Sequence, residues 1–545
     1  MLDTAEIRKS RGAFFTPADL SAYVAQWAVR SPADSVLEPS CGEAAFLLSV
    51  GARLRSLGAR DLPPYQLQGI EIHPSSLAEA RQALAQAGLK ATLHRGDFFD
   101  FSLPAKFDVV VGNPPYVRYQ SFTGETRRKA HQVALAEGVR LPGLASSWAA
   151  FVVHAASCLN ANGRLGLVLP AELMTVNYAA PVRRFLLERF AQVTLVLFSA
   201  RVFPGVLEEV VLLLAEGRGP TDHCTFLEVQ DLACLDAGLT GNLWSPSAPG
   251  QKWTYGLLPR GAAEIYGQQL RQAAFADLLT WGQTDLGMVT GNNRYFTLSA
   301  GDADRLGLPE EDLLPISPPS SRHLRGLCFT REAWRAMAAE GARVFLFDPA
   351  ARLSRAAHRY IAEGERLGVH GAYKCRVRTP WWRVPKVKVP DLFFTYMNHD
   401  TPRLVANQAG VHYLNSIHGV SLRPEARELG RELLPLAMLN SLTLLGAELV
   451  GRSYGGGLLK LEPKEADQLP LPTLETLRQV APQLRALLPQ VGTHLRHADL
   501  LQVVGEVDRL LLRRHLGLRR ADLLELQAAR QVLFQRRMAR AGKKL

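Results

Sequence analysis

Cysteine is scarce and scattered. The six residues Cys41, Cys158, Cys224, Cys234, Cys328 and Cys375 are spread over 545 positions and form no CxxC pair. That excludes a disulfide framework, offers no zinc ligand set, and fits reduced thiols in a cytoplasm. No apolar run approaches the roughly 20 residues that a membrane-spanning helix needs, LEEVVLLLA around Val210 being too short, so no membrane partner is expected. The opening residues MLDTAEIRKSRG are polar and charged, unlike a signal peptide, and the expected location is the cytoplasm. There are no internal repeats, no low-complexity tracts and no GxGxxG fingerprint of a dinucleotide binder.

What is present is a globular composition, 47% hydrophobic and 21% charged, on a chain long enough for two or three domains. The net charge of +12 is unevenly placed: residues 1–230 hold 22 Lys/Arg against 21 Asp/Glu, leaving 41 against 30 for the remainder. A near-neutral first part joined to a basic second part points to a polyanion bound mainly by the second. Surface solubility accounts for the charge equally well.

Strands and helices alternate through 19–230. DSVLEPS (34–40), YQLQGIEI (65–72), ATLHRGD (91–97), FDVVVGNPP (107–115) and RLGLVLP (164–170) read as strands, with VTLVLFSA (193–200) and EEVVLLLAEG (208–217) as a closing pair. Helices are expected over 45–58, 75–88, 146–163 and 181–190, the third stopped by its Asn-Gly. The alternation predicts an α/β fold with a doubly wound, mainly parallel sheet, binding ligands beyond the carboxyl ends of its strands. Residues 231–280, rich in Gly, Pro, Ser and Trp, read as a linker. Residues 281–480 read as a mixed α+β domain of short strands and loops, and 481–545 as a helical end.

The sharpest motif is Asn113-Pro114-Pro115-Tyr116 after the apolar strand. An exocyclic amine on a nucleic-acid base is a poor nucleophile, because its lone pair is delocalised into the ring. The Asn113 side-chain oxygen and the Pro114 carbonyl together can accept its two N–H groups and turn the lone pair outward, while Tyr116 offers a face for stacking. An ordinary turn is the bland alternative. The loop Val36–Phe46, with Glu38 and Gly42, is a strand, a tight small-residue turn and a helix start, suited to close backbone approach and to holding an ammonium group. Glu71 ends a strand as ribose-binding acids do. Asp97 and Phe98 pair an acceptor for an adenine amine with an apolar face. Thr16 and Pro17, in RGAFFTP, are placed to cover a ligand.

In this order the motifs resemble those of DNA adenine N6-methyltransferases of type II restriction–modification systems, which have an N-terminal catalytic and a C-terminal target-recognition domain. The resemblance spans nearly the whole chain. It implies a class I S-adenosylmethionine-dependent methyltransferase fold and S-adenosylmethionine as cofactor, contacted by Thr16, Pro17, Glu38, Gly42, Glu71, Ile72, Asp97, Phe98 and Phe151. It also implies catalysis by Asn113, Pro114 and Tyr116, with Phe203 sandwiching an adenine rotated out of the duplex. The donor loop reads SCGEAAF where the family more commonly has ACGSGGF. Asn rather than Ser in NPPY favours adenine N6 over cytosine N4.

The second part carries matching signals. Thr290–Phe296 resembles the opening of the family's recognition domain, and Ser453–Gly457 its close. Between them Tyr373–Pro390 holds six Lys/Arg, three aromatics and no acid. Expected DNA contacts are Asn292, Arg294, Lys374, Arg376, Arg378, Trp381, Trp382, Arg383 and Tyr454. A tryptophan is expected to fill the gap left by an extruded base, although at least one of the pair is expected in a core. Double-stranded DNA is the expected partner, a cognate restriction endonuclease a further one, and the chain is expected to act as a monomer. The competing functions are methylation of RNA or of a protein glutamine, and DNA binding by an inactive methyltransferase-like subunit.

Overall fold

The computed structural model describes residues 16–101, 106–198, 209–235, 241–454, 456–496 and 499–539. The chain divides into two compact units, one formed by the residues up to Leu258 together with those from Met538, and one running Pro259–Arg537.

The first unit is built on a nine-stranded sheet. Its strands are β1 (Val36–Glu38), β2 (Leu67–Glu71), β3 (Thr92–Arg95), β4 (Phe107–Gly112), β5 (Leu159–Pro170), β6 (Gln192–Phe198), β7 (Val210–Glu216), β8 (Cys224–Val229) and β9 (Asn242–Trp244), in the order 3-2-1-4-5-7-6-8-9. Strands β3, β2, β1, β4 and β5 pair in parallel, and β7 lies antiparallel between β5 and β6. This is the expected doubly wound α/β architecture.

Side-chain alternation divides the sheet between two cores. Val36, Val109, Val111, Leu212 and Leu214 point into one, and Leu37, Val110, Val211 and Leu213 into the other. Helices α1 (Ala18–Ala28), α2 (Ala45–Ser56) and α3 (Pro74–Gln86) cover the first face, and α4 (Gly124–Ala136), α5 (Ser147–Ser157) and α6 (Ala180–Arg189) the second. Strand order reverses between β1 and β4, so Glu38 and the Asn113 loop emerge side by side at the switch point, where open α/β sheets bind ligands.

Two expectations need correction. The helix over 146–163 ends at Ser157, and Leu159 already belongs to β5. Residues 160–163 form a bulge between the pairs Phe107↔Leu159 and Val109↔Arg164, with Asn160 donating to Asp108 at 2.8 Å. The Asn-Gly therefore bends a strand instead of stopping a helix. The stretch 231–280 is not a plain linker either: β9 pairs with β8, and fully buried Trp253 joins the first unit's core.

The second unit contains a five-stranded sheet, in spatial order Gly282–Leu286, His418–Leu422, Leu392–Phe394, Leu404–Asn407 and Cys328–Phe329, together with smaller sheets. Helices Arg427–Ala437, Ser441–Val450, Leu474–Arg496 and Leu500–Val507 belong to the same unit. The architecture is mixed α+β with a helical end, as expected. No single helix among the described residues is long and apolar enough to cross a membrane.

One internal acid, directly after Leu500–Val507, ties the start of Ser441–Val450 to the helix Arg520–Ala539. Asp508 is fully buried and accepts hydrogen bonds from Ser441 N (2.8 Å), Ser441 Oγ (2.6 Å) and Gln527 (3.2 Å). Burial outweighs these donors and raises its pKa to about 6. A carboxyl whose folded pKa lies above its unfolded value favours folding at low pH, and loses that contribution as pH rises through the folded pKa. Relative to Asp508→Asn, the unmodified chain should therefore lose on the order of 2–3 kcal/mol between pH 4 and pH 7, read from denaturant midpoints at both pH values. A pH-independent difference would contradict the assignment.

Candidate active site

The Asn113 loop leaves β4 held from several directions. Asn113 Nδ2 donates to Thr16 Oγ1 at 3.2 Å, and the Tyr116 hydroxyl lies 2.8 Å from Asn113 Oδ1 and 3.0 Å from the Val168 carbonyl. Ser40 Oγ donates to the Asn113 carbonyl at 3.2 Å. The amide is thus oriented at both ends: Thr16 fixes its nitrogen, and Tyr116 uses one lone pair of its oxygen and leaves the second. Pro114 is buried, while Asn113, Pro115 and Tyr116 are half-buried.

Asn113 and Pro115 line a cavity of about 400 Å³, in the range of small-molecule sites. Thr16, Glu38, Gly42, Glu71, Ile72, Asp97, Phe98 and Phe151 line it too; Pro17, Pro114 and Tyr116 do not. Phe203 and the residues before Thr16 in RGAFFTP lie outside the described residues.

The carboxylates at the strand ends differ in duty. Glu71 accepts from Gly42 N (2.9 Å) through one oxygen and His73 N (2.8 Å) through the other, which ties the turn between β1 and α2 to the one between β2 and α3. Glu38, 2% exposed, accepts from Leu47 N at 3.0 Å and so satisfies an unpaired donor at the start of α2. Burial raises the Glu38 pKa well above the usual carboxylate range; backbone donors at Leu47 and Phe46 oppose this, and the nearby Glu71 charge adds to it. Two acids at adjacent strand ends on one cavity make a site suited to a cation.

The turn between them is left-handed at Gly42 (φ +48°) and again at Ala44 (φ +68°). A Cβ at Gly42 would meet open space, so its backbone borders the opening. Ala44 stands where the commoner loop has glycine, and keeping an alanine there costs about 1–2 kcal/mol.

Asp97 caps the turn Phe98–Asp100 by accepting from Phe99 N at 3.1 Å, and burial raises its pKa. The Phe98 ring lies 4.8 Å from Phe151, and both are nearly buried, whereas Ile72 is 50% exposed on the same cavity. The donor set fits S-adenosylmethionine: carboxylates for an ammonium group and a ribose diol, an acceptor for an adenine amine, and apolar walls for its ring.

One contributor carried no sequence signal. Ser147, at the start of α5, donates to the Pro115 carbonyl and accepts from Val117 N at 2.9 Å, gripping the loop on both sides of Tyr116. A serine opening a helix reads as a cap, so only the contact across 30 residues exposes this role. Ser147→Ala should lower the single-turnover rate at this site about 10–100-fold and cost about 1–3 kcal/mol of stability, because Val117 N and the Pro115 carbonyl both lose a buried partner. An unchanged rate would show that the loop holds itself.

The second unit brings together two segments read separately in the sequence. Arg378 donates to the carbonyls of Val289 and, at 2.8 Å, Thr290, and Cys375 Sγ lies 3.6 Å from the Thr290 carbonyl. Gly291 (φ +89°) sits against this segment, where a Cβ would come within 3.1 Å of Cys375 Sγ and Lys374 Cβ. Arg294, Lys374, Arg376 and Arg383 are exposed.

Several expected contacts have other work. Arg378 is a strut, and the Asn292 oxygen caps the short helix Asn293–Phe296 by accepting from Tyr295 N at 3.2 Å. Trp381 and Trp382 are both half-buried against one core cluster, and Trp381 Nε1 donates to Glu365 at 3.1 Å. Tyr454 is 45% exposed, with the Lys460 ammonium 5.2 Å above its ring.

Comparison with known proteins follows the same division. The family described as N-6 DNA Methylase matches residues 2–236, and that described as Type II methyltransferase M.Eco57I, C-terminal domain, matches 250–512. The chain is 23% identical over 476 residues to the type II methyltransferase M.AccI of Acinetobacter calcoaceticus, covering 85% of each chain. It is 25% identical over 478 residues to M.XamI of Xanthomonas campestris pv. amaranthicola, covering 86% of each. Among solved structures, the type IIL restriction-modification enzyme MmeI, in complex with DNA, matches with a TM-score of 0.63 at 12% identity, over 97% of this chain and 80% of that one. At that identity the likeness is one of fold.

Proposed function

The chain belongs to the type II restriction–modification DNA N6-methyltransferase family, and from that premise we propose that it transfers a methyl group from S-adenosylmethionine to N6 of an adenine rotated out of duplex DNA. The observation that carries the reading is that Asn113 opens onto the cavity lined by Glu38, Glu71 and Asp97.

Glu38 and Glu71 would hold the cofactor's ammonium and ribose groups, Asp97 its adenine amine, and Ile72, Phe98 and Phe151 the faces of its ring. S-adenosylmethionine supplies a methyl group made electrophilic by a sulfonium centre. The protein's own contribution is positioning. Asn113 Oδ1, with one lone pair on Tyr116 and the other directed to substrate, accepts one N–H of the target amine, and the Pro114 carbonyl accepts the other. The Asn113 amide is held by Thr16 and Tyr116 before substrate arrives, so its orientation costs nothing at the moment of reaction. The proton released from N6 leaves to water, and no side-chain base is required. Rotating the adenine out of the stack costs a few kcal/mol, offset in part by stacking in the pocket.

The test is transfer of tritium from labelled S-adenosylmethionine, offered in parallel to duplex DNA, ribosomal RNA and a peptide release factor. Label in duplex DNA alone is expected. Label confined to RNA or protein would overturn the reading, and no cofactor binding at all would mark an inactive subunit.

A further inference from the structure

We infer that the turn Tyr373–Val377 is a wedge, and that Tyr373 and Val377 enter and stack in an opened base step of duplex DNA held by the cations around them. The inference rests on the proposed DNA-methylating function and names the part of the second unit that opens the duplex.

Mounting is the first observation. Cys375, in the middle of the turn, is fully buried in the aromatic core, and Arg378 just beyond it is bonded to two backbone carbonyls of the Val289–Thr290 segment. Gly291 packs against the same turn. Inward-facing Cys375 leaves Tyr373 and Val377 facing out, four residues apart on one side of a helical turn. They are 65% and 62% exposed. Single exposed apolar residues are ordinary on a surface. An apolar pair on a turn anchored this firmly, with a π-face at one end, has the shape of a side-chain wedge.

The charge of the surroundings selects the occupant. Tyr373–Pro390 carries six Lys/Arg and no acid. Lys374, Arg376 and Arg383 are exposed there, with Arg294 exposed on the segment packed beside the turn. The Lys374 ammonium lies 5.7 Å from the centre of the Tyr373 ring. An apolar protein or lipid partner would have to desolvate these cations, whereas a phosphate backbone neutralises them and presents stacked bases between its strands. Of the two tryptophans expected to fill such a gap, Trp381 instead packs on Tyr295 and Phe296 and donates its N–H to Glu365.

The experiment uses the full chain and a short duplex carrying its own methylated site, identified by methylome sequencing of an expressing host, with 2-aminopurine beside the target base. Tyr373→Ala should weaken binding to this duplex about tenfold, the scale of one lost base–aromatic stack, and should abolish the rise in 2-aminopurine emission. Its affinity for a scrambled duplex and its salt dependence should stay as in the unmodified chain. Tyr373→Phe should restore both signals, and Val377→Ala should reduce the emission rise. Lys374→Ala and Arg376→Ala should instead weaken cognate and scrambled binding together and lower the salt slope by about one each. Full emission and binding in Tyr373→Ala and Val377→Ala would overturn the wedge. Insensitivity of all four alanine variants would remove this face from the DNA interface while leaving the methyltransferase function intact. A chain that binds no duplex at all would overturn both.

Discussion

Asn113→Ala should slow methyl transfer by at least about 10³-fold while the affinity for S-adenosylmethionine changes less than about threefold. The separation follows from where Asn113 is bonded. Its nitrogen goes to Thr16 and its oxygen to Tyr116, and its side chain holds neither Glu38 nor Glu71. Removing the amide takes away one of two acceptors that reshape the amine and leaves the carboxylate end of the cavity as it was. The loop should keep its course, because Ser147 still grips the Pro115 carbonyl and Val117 N. Tyr116→Phe should be milder, about tenfold in rate, since it frees the amide oxygen from one partner without deleting it. Single-turnover kinetics with pre-bound cofactor, paired with equilibrium binding, resolves the two effects. Equal losses of rate and cofactor affinity in Asn113→Ala would make Asn113 a cofactor residue and refute its catalytic role.

The second large effect is expected at Glu71, with the opposite signature. Glu71→Ala should weaken S-adenosylmethionine binding about 10²–10³-fold, the worth of two hydrogen bonds to a charged acceptor, with the rate at saturating cofactor kept within a few-fold. The carboxylate does two things at once. It pins Gly42 N and His73 N, which ties the turn between β1 and α2 to the one between β2 and α3, and it presents its remaining lone pairs to the cavity. Glu71→Gln keeps one acceptor oxygen and should fall between. Calorimetry or equilibrium dialysis measures the loss, and unchanged affinity in Glu71→Ala would remove the ribose assignment.

Much of the first unit was legible because burial on both faces of a parallel sheet leaves near-continuous apolar strands, and the acid or amide that follows each one lands at the same edge. That is why Glu38, Glu71, Asp97 and Asn113, 75 residues apart at the extremes, reach one cavity. The signal failed where local chemistry has two solutions. Asn160–Gly163 can stop a helix or bulge a strand, and the pairing of Phe107 with Leu159 decides for the strand. Strand β9 is three residues long and mostly exposed, so it carries no alternation to read. In the second unit, Arg376 and Arg378 are alike as sequence, yet one is exposed and the other braces a distant loop. A tryptophan's size makes it plausible as core or as contact, and only the packing of Trp381 on Tyr295 and Phe296 separates the two.

The proposed transfer depends on a base amine made nucleophilic by two acceptors, the fixed Asn113 side-chain oxygen and the Pro114 carbonyl. Its most direct test is mass analysis of nucleosides from duplex DNA incubated with the chain and deuteromethyl-labelled S-adenosylmethionine. Label in N6-methyladenine, lost in Asn113→Ala, is the predicted result. Label in N4-methylcytosine, or adenine labelled as readily by Asn113→Ala, would contradict it.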